Sequence, residues 1–473
     1  MRERRSRRTR ARARPKLGIA LAGGGPLGGI YEIGALAALA DALHGVDFNA
    51  LDVYVGVSSG AFIAAGLANG IAPRQMSRMF IESESHADPF DPAILLRPAF
   101  REYLRRAASV PPLAAVALWR ILTTRDRPAL LEAFTQLGRA LPTGIFDNRA
   151  IEAFLARVFS APGRTNDFRR LPRKLFLVAT DLDTGASVKF GAPGHDHVPI
   201  STAVQASAAL PGLFPPVEID GHHFVDGALK RTLHASVGLE QGVKLLFCIN
   251  PLVPFDARLP GPTGDAPRRI VAGGLPAVLA QTLRTIVHSR MQVGMQRYER
   301  EFPDVDVVQF EPHRHDVEMF LTNFFSFASR RRLAEHAYQR TLQELLGRRE
   351  DLGPILARHG IEIRLDVVVD RERRLAQGGR RRKPLSAGAG TADRLSETLH
   401  ALRHWLARHH AHARAEAAWP LRRAILRAPL SRPSPAWSAS RSAAPASASS
   451  RRACGCSTIS ASPTSPRRRL PTR

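Results

Sequence analysis

The 473-residue sequence predicts an α/β fold around a largely parallel central sheet, with a helical C-terminal extension. Three observations point to it. First, short continuous apolar runs, "KLGIALA", "LDVYVGV", "KLFLVAT", "VKLLFCI" and "VDVVQF", have the length and composition of strands buried on both faces. Second, amphipathic or apolar helical stretches follow the first two of these runs, the alternation expected of parallel strands. Third, both strand-to-helix junctions are rich in glycine, at the carboxyl ends of strands where open α/β sheets bind ligands.

Taken in order, residues 1–16 form a basic arm expected to be disordered. "KLGIALA" is the first core strand, a glycine-rich loop follows, and "IYEIGALAALADAL" is a helix with Ile33, Leu36, Ala40 and Leu43 on one face. "LDVYVGV", a turn at Ser58 and the helix "GAFIAAGLA" repeat the unit. Residues 72–155 are richer in helix and proline than in strand and read as an insertion over the sheet. From about residue 277 the pattern is mostly helical. The expected division is an α/β hydrolase domain at 17–310, a mainly helical extension at 311–370 and a basic linker at 371–390. An amphipathic helix at 391–417 follows, with Leu395, Leu399, Leu402 and Leu406 on one side, and then an Arg/Ala/Ser/Pro-rich disordered tail at 418–473.

The formal charge of +26 suggests a nucleic-acid binder until it is located. Residues 1–16 carry nine Arg or Lys and one Glu, and residues 371–473 carry 22 Arg or Lys and four acids, so residues 17–370 balance at 37 of each sign. The basicity belongs to the ends, which suits peripheral contact with an anionic membrane and no specific nucleic acid. Three cysteines, Cys248, Cys454 and Cys456, build no disulfide framework, so a reducing, cytoplasmic setting is expected. No run reaches the roughly 18 apolar residues of a membrane span. The arginines before "LGIALA" mimic a signal peptide, but cleavage there would remove the first core strand, which disfavours secretion by that route.

Gly56-Val57-Ser58-Ser59-Gly60 fits G-x-S-x-G, a strand-to-helix turn that holds a serine nucleophile where flanking side chains would collide with backbone. Ser58 then stands at a helix N-terminus, which favours developing negative charge. Ser59, at the variable position, reads as a helix cap. In "LAGGGPLGGIYEIG", Gly23, Gly25 and Gly28 also satisfy the dinucleotide fingerprint G-x-G-x-x-G. That reading wants an acid at the end of the second strand, whereas Asp52 lies near its start. The alternative is an oxyanion hole made by backbone N–H groups of Gly24 and Gly25. A base is still needed: Asp226, in "GHHFVDGALK", is the candidate, and it must come within hydrogen-bond reach of Ser58. His222 and His223 precede the acid, the wrong order for an ordinary hydrolase triad, and read as exposed turn residues, as do His195 and His197. Asp181 and Asp183 read as turn formers, and Ser207 and Pro211 as shapers of a loop beside the site.

Four blocks in order, "GGGPLGG", "GVSSG", "ASAALPGLFPPV" and "DGA", together with "TDLDTG", resemble the patatin-like phospholipase family across about residues 17–250. The resemblance implies a patatin-like three-layer fold and lipid acyl hydrolysis by a Ser-Asp dyad without catalytic histidine. It places the nucleophile at Ser58, the general base at Asp226 and the oxyanion hole at Gly23, Gly24, Gly25 and Gly28, with Gly56, Gly60 and Gly227 supporting the elbow and the DGA turn. It implies a lipid or phospholipid substrate, no cofactor and no metal. One position departs from it: the family's loop commonly carries Arg or Lys where this chain has Leu27. Two other readings stay open at this stage, a nucleotide-binding α/β enzyme and a non-catalytic membrane adaptor.

Overall fold

A computed structural model describes residues 15–82, 92–123, 141–258, 270–321 and 327–378. The basic arm up to residue 14, the linker beyond residue 378, the expected helix at 391–417, the tail, Cys454 and Cys456 lie outside the described residues.

The first strand, β1 (Leu17–Leu21), runs into α1 (Gly25–Ala42) and the two-residue β2 (Leu43–His44); β3 (Val53–Gly56) then runs into α2 (Ser59–Ala68). The region expected to be helical supplies α3 (Pro73–Met76), α4 (Phe100–Thr123) and α5 (Arg149–Phe159). Strands resume with β4 (Lys174–Asp181) and β5 (Ser187–Phe190), then α6 (Ile200–Ser207), β6 (Val217–Ile219), β7 (His222–Asp226), α7 (Ala235–Leu239) and β8 (Leu245–Ile249). The chain continues through α8 (Gly274–Glu301), β9 (Asp306–Phe310), α9 (Val317–Leu321), α10 (Phe327–Gly347), α11 (Arg349–Ala357), β10 (Glu362–Ile363) and α12 (Leu365–Val368).

Strands β4, β3, β1, β8 and β9 lie side by side and parallel, with Leu21 opposite both Gly56 and Ile249. Along β1 the two-residue period sends Leu17, Ile19 and Leu21 to one face and Ala20 to the other. The first face packs on α1, α2 and α10, and the second on α7, giving helix, sheet and helix as three layers.

At β4 the sheet turns antiparallel, and this positions the site. Strand β5 pairs with Leu177–Thr180 and β7 pairs with Ala179–Asp181. A residue has only two edges, so β5 and β7 must lie on opposite sides of β4. Strand β3 also pairs with Leu177 and therefore shares β7's side. Strands β3 and β7 thus approach end to end along one edge of β4, with their carboxyl ends facing each other.

One sequence expectation changes. Helix α1 starts earlier than "IYEIGALAALADAL", and its apolar residues are not confined to one face: residues 30–39 are buried all round, Ala40 is exposed and Leu43 has entered β2. The reason is the close packing of α10 against it. A Cβ on Gly34 would land on the Ala334 carbonyl, so the two helices meet almost backbone to backbone.

Candidate active site

The elbow follows from what its residues cannot carry. A side chain at Gly56 would strike Gly60 and Ala61, and one at Gly60 would strike the Leu21 carbonyl. With both positions bare, α2 starts one residue after the turn, and Ser58 takes φ 53° and ψ −122°, a conformation that L-residues avoid. Such backbone strain costs on the order of 1–3 kcal/mol and persists only when its surroundings enforce it. Here they do. Val57 N–H donates to Leu21 O at 3.1 Å, and Ser58 N–H donates to Ser207 Oγ at 2.9 Å. Ser207 in turn donates to Val178 O at 2.6 Å, tying the elbow to β4. Ser207 is therefore the elbow's brace and not only a loop shaper.

Asp226 ends β7 and is 3% exposed. Its N–H donates to Ala209 O at 3.0 Å, and its Oδ1 accepts from Ala228 N–H at 2.8 Å. Burial pushes its pKa up to about 6, while the Ala228 N–H that donates to the carboxyl and the nearby Ser58 hydroxyl pull it part of the way back. Gly227 must be bare because a Cβ there would meet the Val178 carbonyl. The alcohol and the carboxyl, 168 positions apart in sequence, line one cavity at the meeting point of β3 and β7.

The glycine loop closes over this pair. A Cβ on Gly23 would stand 3.0 Å from Ser58 Cβ, so the loop lies directly on Ser58. Gly24 is held by Pro251 and by the Gly28 backbone, and Gly25 has φ +61°, which favours glycine. Among the described residues, the N–H groups of Gly24 and Gly25 have no protein partner. Gly23 N–H points to Thr232 O at 3.4 Å, and Gly28 N–H is used by Gly24 O at 3.0 Å inside α1. The loop's unengaged donors are therefore Gly24 and Gly25, while Gly28 serves packing against Pro251.

The histidines go elsewhere. His222 Nδ1 lies 3.6 Å from Asp181 and His223 Nδ1 3.6 Å from Asp183, both rings largely exposed. His197 pairs with Asp220, and His195 stacks edge-on against Phe190. Asp181 accepts from the N–H groups of Asp183 and Thr184, a turn-forming role. His234, which no motif marks, is the buried histidine nearest the dyad. Its Nε2 lies 3.4 Å from Gly227 O, and burial pushes its pKa down to about 4. Ser59 caps nothing: Ser58 is the cap residue of α2, and the Ser59 hydroxyl is buried without a partner. Asp52 accepts from Leu17 N–H at 2.8 Å at the start of β1, the end of the sheet remote from the glycine loop. That placement removes the acid a dinucleotide site would need.

Ser58, Asp226 and the loop glycines open onto a cavity of about 320 Å³ walled by apolar side chains such as Ile30, Phe62, Phe80, Phe154, Val204 and Leu213. A larger cavity of about 580 Å³, lined by Glu311, Arg314 and Arg340 among others, holds neither dyad residue. Two arginines, Arg284 and Arg330, also line the catalytic cavity. Sequence reasoning missed them. The available signal was an arginine on α8 at helical spacing with Ala280, Leu283 and Val287, the face turned to the cavity. Among the described residues, no cluster of His, Cys, Asp and Glu is placed to hold a metal ion, and no helix is long and apolar enough to cross a membrane.

Residues 19–237 match the family model described as patatin-like phospholipase. Over 223 residues the chain is 28% identical to an uncharacterised NTE family protein of Mycobacterium tuberculosis. It is 31% identical over 223 residues to one of Mycobacterium bovis. Each match takes in 47% of this chain and 28% of the relative, so less than a third of those proteins is represented. Among solved structures, VipD from Legionella pneumophila aligns over 70% of this chain and 67% of its own, at 14% identity and a TM-score of 0.34. The type III effector ExoU of Pseudomonas aeruginosa aligns over 71% of this chain and 53% of its own, at 15% identity and a TM-score of 0.31. The segment 19–237, which contains both Ser58 and Asp226, is similar to the patatin-like phospholipase family.

Proposed function

We propose that this chain hydrolyses carboxylic ester bonds of lipids through a Ser58–Asp226 dyad and an acyl-enzyme. The observation that carries the reading is a strained, buried serine and a buried carboxyl lining one apolar cavity beneath unpaired backbone donors. Ser58 Oγ attacks the ester carbonyl carbon and passes its proton to the Asp226 carboxylate. The Gly24 and Gly25 N–H groups receive the carbonyl oxygen as it becomes an oxyanion; removing one such donor typically costs about 3 kcal/mol of transition-state stabilisation. Collapse of the tetrahedral intermediate breaks the ester C–O bond, and the leaving alcohol takes the proton from Asp226. Water, deprotonated by the same carboxylate, then attacks the acyl-enzyme and releases the fatty acid. The cavity walls shelter the acyl chain and keep bulk water from the oxyanion.

A fluorophosphonate probe tests the nucleophile: labelling at Ser58 is expected, with none in Ser58→Ala. Ser58→Ala and Asp226→Ala should each stop fatty-acid release from phospholipid and from a p-nitrophenyl ester, and turnover near the wild-type rate in either variant would overturn the dyad. The His222→Ala/His223→Ala double variant should keep most activity; a loss matching that of Ser58→Ala would reinstate a triad. The same probe separates this reading from a nucleotide-binding enzyme and from a non-catalytic adaptor, neither of which predicts labelling.

A further inference from the structure

Arg284 is the feature of the catalytic cavity that ester hydrolysis leaves unused. It stands on α8, outside the segment that matches the family, and lines the cavity together with Leu283 and Val287. Its guanidinium lies 4.7 Å from the centroid of the Phe320 ring. Among the described residues it makes no ion pair and no hydrogen bond, and burial lowers its pKa with no acidic group to offset the effect. The carboxyl that shares the cavity wall, Asp226, is engaged by the Ala228 N–H. Arg330 also lines the wall, with one of its nitrogens donating to Phe80 O at 3.1 Å. The glycine loop adds no cation, because Leu27 packs against the hydrophobic core.

A half-buried guanidinium without a counter-charge is costly, and an anionic oxygen group that can take its parallel N–H donors repays the cost. We propose that Arg284 forms the subsite for the phosphodiester group of a phospholipid substrate, placing the scissile ester at Ser58. This rests on the lipid-hydrolase reading and adds the residue that selects among lipids. In a glycerophospholipid the phosphate and the acyl ester sit on one glycerol unit, so an acyl chain held by the apolar wall brings the phosphate along. A neutral glyceride of the same chain length fills the same wall and leaves the cation unsatisfied. Arg284 therefore discriminates by charge, whereas the cavity wall discriminates by chain.

The test measures binding, separately from turnover. Full-length Ser58→Ala protein is titrated calorimetrically with dihexanoylphosphatidylcholine, dihexanoylglycerol and inorganic phosphate. Replacing Arg284 by Leu in that background is expected to weaken phospholipid binding about tenfold or more, the usual loss for a charge-assisted hydrogen bond. Affinity for dihexanoylglycerol should move less than about twofold, and Arg284→Lys should retain most phospholipid affinity. Inorganic phosphate should bind much more weakly than the lipid. The proposal is overturned if Arg284→Leu weakens both lipids equally or neither, if no phospholipid binding is found, or if inorganic phosphate binds as tightly as phospholipid. Absence of fatty-acid release by the wild-type protein would sink the hydrolase reading alone, since the titration still reports on Arg284 directly.

Discussion

Asp226 shows how one residue's environment sets a working range. Its carboxyl rises from an ordinary 3.8 to about 6 because burial penalises the charge more than Ala228 N–H and the Ser58 hydroxyl relieve it. In the proposed role of base it must be ionised, so kcat/KM for a p-nitrophenyl ester should rise with unit slope and level off just above pH 6; a flat profile from pH 5 to 8 would assign the base elsewhere. The same shift has a stability consequence. The folded pKa lies above the unfolded one, so between about pH 4 and 6 the folded state holds the proton and the unfolded state does not, and stability falls as pH rises through that window. Above it the ionised carboxylate costs up to about 3 kcal/mol. Asp226→Asn should therefore be inactive yet melt a few degrees higher at pH 7.5, with the gain vanishing below pH 4. Ser207 acts through Ser58. Without its hydroxyl the Ser58 N–H and Val178 O lose their bridge, an orphaning worth about 1–3 kcal/mol. Ser207→Ala should lower kcat about tenfold with KM little changed, and Ser207→Thr should recover part of it.

At the scale of elements, the position of Ser58 is made by a junction. Strand β3, the turn and α2 fit together only because Gly56 and Gly60 leave room for backbone. Gly60→Ala drives a methyl group onto the Leu21 carbonyl of β1, and no flexible side chain can give way. A loss of about 1–3 kcal/mol in thermal stability is expected, with a larger proportional loss of activity because the clash bears on the elbow itself. This junction was legible in the sequence, since G-x-S-x-G between an apolar strand and a helix is a local pattern. Its partner was legible only as a candidate. Asp226 was named from its glycine neighbour and from family resemblance, but nothing local says that β7 continues the line of β3 along β4. Arg284 was legible only as an arginine at helical spacing with apolar residues of α8, because that helix carries polar residues on several faces and the face that matters depends on where it docks.

Over the whole molecule, the segment matched by the family holds most of the core but not all of it. Leu333, Ala334, Ala337, Tyr338, Leu342 and Leu345 of α10 join the same hydrophobic cluster as α1. A polar knot seals that contact: Asp41 at the end of α1 accepts from Tyr338 at 2.7 Å and from Arg373 at 3.3 Å, and pairs with Arg74, whose Nη1 reaches Leu375 O at 2.6 Å. Together these groups hold the Asp41 carboxyl below the usual carboxylate range. A chain ended after Phe310 would leave the α10 side of α1 bare. It should lose its cooperative thermal transition and bind a hydrophobic dye, whereas independent folding of that truncated chain would show that the C-terminal helices are accessory. Gly34→Leu, which wedges α1 from the Ala334 carbonyl, should approach the same result within the full chain.

The sequence alone determined the strand–helix alternation, the glycine junctions, the serine elbow and the concentration of basic charge at the two ends. All of these depend on neighbours a few residues apart, where sterics and hydrophobic period act directly. Tertiary structure decided the rest: that the ends of β3 and β7 meet so that Ser58 and Asp226 line one cavity, that α1 is buried on every side, and that Arg284 faces that cavity. Those outcomes depend on which edges pair and which helix faces dock, and pairing over long separations is set by the packing of the whole chain.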